Sequence, residues 1–151
     1  MNRNHPRVLI IEDQDVLRVM LFTILRHQPL SVDVARSADE ALVKVTNCDY
    51  ALVLIDMDLE ARDAETFLKD FRLQRPESTT FIIAVRDPQK NTPIDAGIVS
   101  AVLSKPLEID TLADVVRECA IVVPPSEDPL HCPPADSEVK SAFDRDPGYP
   151  N

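Results

Sequence analysis

No apolar run in this chain comes near the ~20 residues needed to cross a bilayer, so no membrane insertion is expected. The opening stretch, MNRNHPRVLIIED, has basic residues and then a short apolar run. Glu12 and Asp13 end that run and no small-residue cleavage site follows, which argues against a signal peptide. Cysteine is scarce. Cys48, Cys119 and Cys132 are far apart, odd in number and without CxxC spacing, which predicts reduced thiols in a cytoplasmic protein rather than a disulfide frame or a zinc site. Positive charge is short too: 16 Lys and Arg against 26 Asp and Glu leave a formal net charge of −10. Binding to nucleic acid rests on phosphate neutralisation, and a chain this acidic is a poor candidate for it.

What the chain does have is a globular composition, 44% apolar and 28% charged over 151 residues, enough for one domain with its own core. Five short runs rich in Val, Ile and Leu are the strand candidates: RVLIIE (7–12), SVDVA (31–35), YALVLID (50–56), TFIIAV (80–85) and VSAVLS (99–104). Three of them are apolar on both faces, as strands of a covered parallel sheet should be. Helical patterns separate them. Val16, Leu17, Met20, Leu21, Ile24 and Leu25 form a 3.6-residue stripe. Ser37 followed by Glu40 reads as a capping box ahead of Ala38, Ala41, Leu42 and Val45. A third helix is expected from about Ala64 to Arg75, stopped by Pro76, and a last one from Ile109.

Between the fourth and fifth strands, RDPQKNTPIDAG holds two prolines that leave space for barely two helical turns. The alternation predicts a flavodoxin-like (βα)5 doubly wound parallel sheet of order 2-1-3-4-5 with a degenerate fourth helix. Its crevice would lie at the carboxyl ends of strands 1 and 3. The domain is expected to span 1–122. From 123 to 151 the texture changes: seven of the 13 prolines and six acids accompany two basic residues, the composition of an extended or disordered Pro-rich tail.

The chemistry starts at LVLIDMDLE, where an apolar run ends in Asp56 and Asp58. Such a DxD begins either an aspartate-nucleophile phosphatase or a phosphoryl-accepting module. In the predicted fold, Glu12 and Asp13 close strand 1 beside Asp56 at the end of strand 3. Three carboxylates this close repel one another. A hard divalent cation such as Mg²⁺, which prefers oxygen ligands, removes the problem and offsets charge on an incoming phosphoryl group. Lys105, in SKP at the end of strand 5, reaches the same crevice as a cationic partner. Each element alone is ordinary, since acidic pairs are common in solvated loops; the set is not.

With those residues in place, the chain resembles the receiver domain of two-component response regulators over about residues 6 to 121. VLIIEDQDVLRVML, DYALVLIDMDLEARDAETFLKDFR and AGIVSAVLSKPLEIDTL carry the resemblance. It implies that Asp56 accepts a phosphoryl group from a histidine kinase or a histidine phosphotransfer protein. It also implies that Glu12, Asp13, Asp56 and the backbone carbonyl of Asp58 hold Mg²⁺, and that Lys105 pairs with acceptor or phosphate before a cis Lys-Pro peptide. The implied protein is a phosphoacceptor rather than an enzyme, a single-domain regulator that signals by protein contact. A homodimer through the last helix is compatible with this and not demanded. The resemblance favours acceptor over hydrolase, because the DxD follows strand 3 and Glu60 stands where the phosphatases carry Thr or Val.

The chain departs from that family at the switch positions. After strand 4 the family presents Ser or Thr; here Ala84, Val85 and Arg86 stand there, with Val85 the best alignment. The aromatic expected three residues before Lys105 is Val102, and the acceptor loop reads EARDA where Pro and Gly are usual. Chemistry at Asp56 is therefore expected to survive, slowed by a missing donor, with coupling to the face after strand 4 absent or rewired. The alternative is a phosphorylation-independent pseudo-receiver. Three roles stand open for Asp58: orienting a water, repelling the donor, or facing solvent.

Overall fold

The computed structural model describes residues 5–59, 63–125 and 130–138. Five parallel strands, β1 (Arg7–Ile11), β2 (Ser31–Ala35), β3 (Leu52–Asp56), β4 (Phe81–Arg86) and β5 (Ala101–Ser104), form one sheet in the order β2-β1-β3-β4-β5. This is the expected flavodoxin-like arrangement. β1 and β3 are buried almost throughout because helices cover both faces: Leu9, Ile11, Val53 and Ile55 pack toward α2 (Ala38–Asn47) and α3 (Asp63–Gln74). Val8, Ile10, Leu52 and Leu54 pack toward α1 (Asp15–Leu25) and α4 (Ile109–Ile121). Alternation along each strand thus feeds two separate cores.

Local signals account for the helix ends. Ser37 Oγ accepts the Glu40 N–H at 3.1 Å, and Glu40 Oε1 accepts back from the N–H of Arg36, one residue before the cap. The stripe expected on α1 is only partly right. Leu21 and Leu25 are buried with Arg18, whereas Val16, Val19 and Met20 are exposed. Arg18 turns inward because its guanidinium finds the carbonyl of Glu12 and the carboxylate of Asp15, so an apolar count misplaced the buried face. Between β4 and β5, residues 87–100 form no helix at all; Asn91 has a positive φ of 50°, and Val99 alone of this stretch is fully in the core.

After residue 122 the structure describes residues 123–125 and 130–138. Residues 130–138 lie against the outer edge of β2. The N–H of Val32 is accepted by Ser137 Oγ at 2.9 Å and that of Val34 by Asp136 Oδ2 at 3.0 Å, so side chains satisfy an edge that would otherwise be open. Asp33, buried beneath, takes the Asp136 N–H together with Arg7 and the hydroxyl of Tyr50. Docking brings Cys132 onto Cys48 with Cα atoms 4.9 Å apart, and the two form a disulfide; Cys119 is the free cysteine. At a separation of 84 positions, no spacing rule pairs these two, and the reading of all three as reduced thiols fails for that reason. Residues 126–129 and 139–151, and Glu60–Arg62 of the acceptor loop, lie outside the described residues. Among the described residues no helix is long and apolar enough to cross a membrane.

Candidate functional site

The register of the sheet assembles the site. β1 ends at Ile11, paired with Ile55, so Glu12 and Asp13 leave the sheet beside Asp56. Asp56 lies opposite Val85 of β4, and β5 delivers Lys105 one residue past Ser104. Glu12, Asp13 and Asp56 each offer a carboxylate oxygen within 4.8 Å of the others. Glu12 and Asp56 are buried and Asp13 is exposed. Burial, and after it the charge on Asp56, pushes Glu12 up to about 8, well above the usual carboxylate range. An oxygen-rich cluster in which one carboxyl resists ionisation suits a hard cation, and the donor set fits Mg²⁺. Arg18 backs the cluster through the carbonyl of Glu12, a role no local motif announces.

Lys105 supplies the cation of the site. Its Nζ lies 2.9 Å from Asp56 Oδ1 and 3.0 Å from Asp58 Oδ2. Burial alone would weaken the ammonium, but the hydrogen bonds to Asp56 and Asp58 outweigh it and hold Lys105 above its ordinary pKa. Asp56 Oδ1 also accepts the N–H of Asp58 at 2.9 Å, so this oxygen is fixed by two donors. The Lys105–Pro106 peptide is cis, as the resemblance implied. A cavity of about 330 Å³ opens between α1 and α4, with Glu12, Asp56, Val85 and Lys105 on its wall.

All five residues singled out in the sequence are thus within one crevice, and Asp58 is the surprise among them. Its side chain is only 4% exposed, which removes the solvent-facing role. Burial opposes its ionisation, yet the hydrogen bonds from Lys105 and from the Asp87 N–H prevail and keep the carboxyl below its ordinary range. The switch positions are as poor in hydroxyls as the sequence suggested. Val85 borders the cavity, Val102 is 45% exposed, and Arg86 sends its guanidinium to the Thr92 carbonyl at 3.0 Å.

A doubly wound parallel sheet with three acids at the ends of β1 and β3, facing a lysine after β5, defines the receiver class of phosphoacceptor modules. The family model for the response regulator receiver domain matches residues 8–117, and the chain belongs to that family. The transcriptional regulatory protein PmrA of Pectobacterium parmentieri is 28% identical over 113 residues, covering 74% of this chain and 50% of PmrA. Protein-glutamate methylesterase/protein-glutamine glutaminase 1 of Xanthomonas campestris is 30% identical over 105 residues, covering 66% of this chain and 29% of that protein. The chain therefore spans half or less of the length of these relatives. Among solved structures, the receiver domain of Francisella response regulator 1452 superposes with a TM-score of 0.65 at 24% identity, covering 77% of this chain and 97% of that one. The response regulator TrrA of Thermotoga maritima, solved with Mg²⁺-BeF, gives 0.64 at 20% identity, covering 76% and 98%. Receiver domains of two-component systems accept phosphate and are not enzymes in their own right, although some relatives are fused to enzymes.

Proposed function

We propose that this chain accepts a phosphoryl group on Asp56 from a histidine kinase or a histidine phosphotransfer protein and signals by protein contact. The observation that carries this reading is Lys105 Nζ at 2.9 Å from Asp56 Oδ1, with carboxylate oxygens of Glu12 and Asp13 within 4.8 Å of Asp56. In the transfer, an Asp56 oxygen attacks phosphorus, the bond from phosphorus to the donor's imidazole nitrogen breaks, and the electron pair leaves on that nitrogen. Lys105 orients the acceptor carboxylate and offers a donor to the phosphoryl oxygens. Glu12, Asp13, Asp56 and the carbonyl of Asp58 would hold Mg²⁺, which when bound offsets the charge of acids and phosphoryl group together. Arg18 keeps the Glu12 backbone in register with Asp56.

Docking of the donor is assigned to α1, where Val16, Val19 and Met20 form an exposed apolar stripe next to Asp13. The net charge of −10 speaks against nucleic acid as a partner. A cytoplasmic location goes with this donor; the Cys48–Cys132 bond would there meet thiol reductants. The competing reading, a pseudo-receiver, is favoured by one observation: Lys105 is already shared with Asp58. Incubation with acetyl phosphate and Mg²⁺ separates the two. Wild type should gain one phosphoryl group by intact mass and Asp56→Asn none; a wild-type chain that stays unmodified and fails to bind beryllofluoride is a pseudo-receiver.

A further inference from the structure

We propose that Asp58 couples the occupancy of Asp56 to the loop after β4, taking the place of the hydroxyl and aromatic switch that this chain lacks. The proposal rests on the reading of Asp56 as phosphoacceptor. The Asp58 carboxylate is a hub between site and loop. One oxygen, Oδ2, is 3.0 Å from Lys105 Nζ and accepts the Asp87 N–H at 2.9 Å. The other, Oδ1, lies 3.4 Å from Thr92 Oγ1. The near half of the loop has few other ties: Gln89 and Lys90 bond within it to Asp87, and Arg86 reaches the Thr92 carbonyl while its buried Nε–H finds no acceptor among the described residues. The far half is fixed independently, by Val99 in the core and by Arg72 bonded to the Gly97 carbonyl at 2.8 Å.

A phosphoryl group on Asp56 replaces one carboxylate charge with close to two, at a point that Asp58 already shares through Lys105. Like charges a few ångströms apart repel, the more so where both carboxyls are as buried as those of Asp56 and Asp58. Lys105 can satisfy the phosphoryl oxygens, and Asp58 then loses the cation that holds its carboxylate in place. With that carboxylate displaced, the Asp87 N–H and the Thr92 hydroxyl lose their acceptor, and residues 87–92 come free while 94–100 stay packed. The signal face is therefore the near half of this loop. The charge on Asp58, not its shape, transmits the change.

Hydrogen exchange of a peptide spanning 86–93, read beside fluorine NMR of bound beryllofluoride, tests this in wild type, Asp58→Asn, Asp58→Ala and Asp56→Asn. Wild type should bind beryllofluoride with Mg²⁺ and exchange the loop amides about tenfold faster than without it. Asp58→Asn keeps an oxygen acceptor without the charge; it should bind the ligand with no change in loop exchange. Asp58→Ala should exchange fast in both states, and Asp56→Asn should show no ligand effect. Bound fluoride in wild type with unchanged loop exchange overturns the role of Asp58 and leaves the acceptor reading standing, as does a wild-type response in Asp58→Asn. No bound fluoride in wild type overturns both.

Discussion

Glu12 carries the largest electrostatic burden among the acids of this site. Its carboxyl is pushed from 4.5 up to about 8 in the folded protein, so it stabilises the fold below pH 4.5 and that contribution is lost as the pH rises toward 8. Asp58, whose carboxyl is held low, loses its contribution only in acid, and Lys105, held high, only in strong base. Both are flat across the intervening window. The melting temperature of chelator-treated protein should therefore fall by a few degrees between about pH 6 and pH 8.5. Saturating Mg²⁺ should offset that fall, because the ion binds the ionised carboxylates and displaces the proton. Thermal melts at both pH values, with and without Mg²⁺, check this; a metal-free melting point that rises over the window contradicts it. Val85 is the second residue with a distinct expectation. It is buried at the position opposite Asp56, and Val85→Thr changes little volume while restoring a hydroxyl. One additional donor to a phosphoryl oxygen is worth about 1 kcal/mol, so the variant should phosphorylate with acetyl phosphate roughly five- to tenfold faster.

At the scale of elements, the strands and their order were legible because period and composition agree. β1 and β3 read as continuous apolar runs and are buried on both faces. The capping box at Ser37 was equally plain. Glu12, Asp13, Asp56 and Lys105 could be assigned to one crevice because each lies at or within two residues of a strand's carboxyl end, so topology alone brings them together. Residues set by helix faces and irregular loops were harder to place. Arg18 buries itself through a carbonyl and an acid that no apolar periodicity records, and α1 consequently turns Val16, Val19 and Met20 outward. The position of the Asp58 side chain depends on Asp87 and Thr92, 29 and 34 residues away, and on a loop without regular structure. If the α1 stripe is the donor surface, Met20→Lys should slow transfer from a kinase or phosphotransfer protein about tenfold. The same variant should leave phosphorylation by acetyl phosphate unchanged, since a small donor needs no docking surface. Equal slowing with both donors would take α1 out of that role.

For the molecule as a whole, residues 130–138 and the Cys48–Cys132 bond close the fold at the β2 edge. Nothing in the composition of the tail separated this segment from its neighbours; the contacts are made by Asp136, Ser137 and Glu138, residues as polar as the rest. Their partners are the outward N–H groups of Val32 and Val34 and the hydroxyl of Ser31 on an edge strand, which a linear reading does not count. Ala135 is fully buried in the docked segment, and Cys132 packs partly against the core. A cross-link between residues 84 positions apart removes much unfolded-state freedom. Reduction, or Cys132→Ser, should therefore lower stability by about 2–4 kcal/mol in denaturant titrations. An unchanged midpoint on reduction would mean that the bond does not constrain the unfolded chain.

Receiver chemistry in this crevice requires that Asp56, and no other acid beside it, carries the phosphoryl group. Borohydride reduction of the acetyl-phosphate-treated protein converts an aspartyl phosphate to homoserine, and peptide mass spectrometry then locates it. Homoserine is expected at position 56 alone, dependent on Mg²⁺ and lost in Asp56→Asn. Homoserine at Asp13 or Asp58, or at no position in wild type, would contradict the assignment.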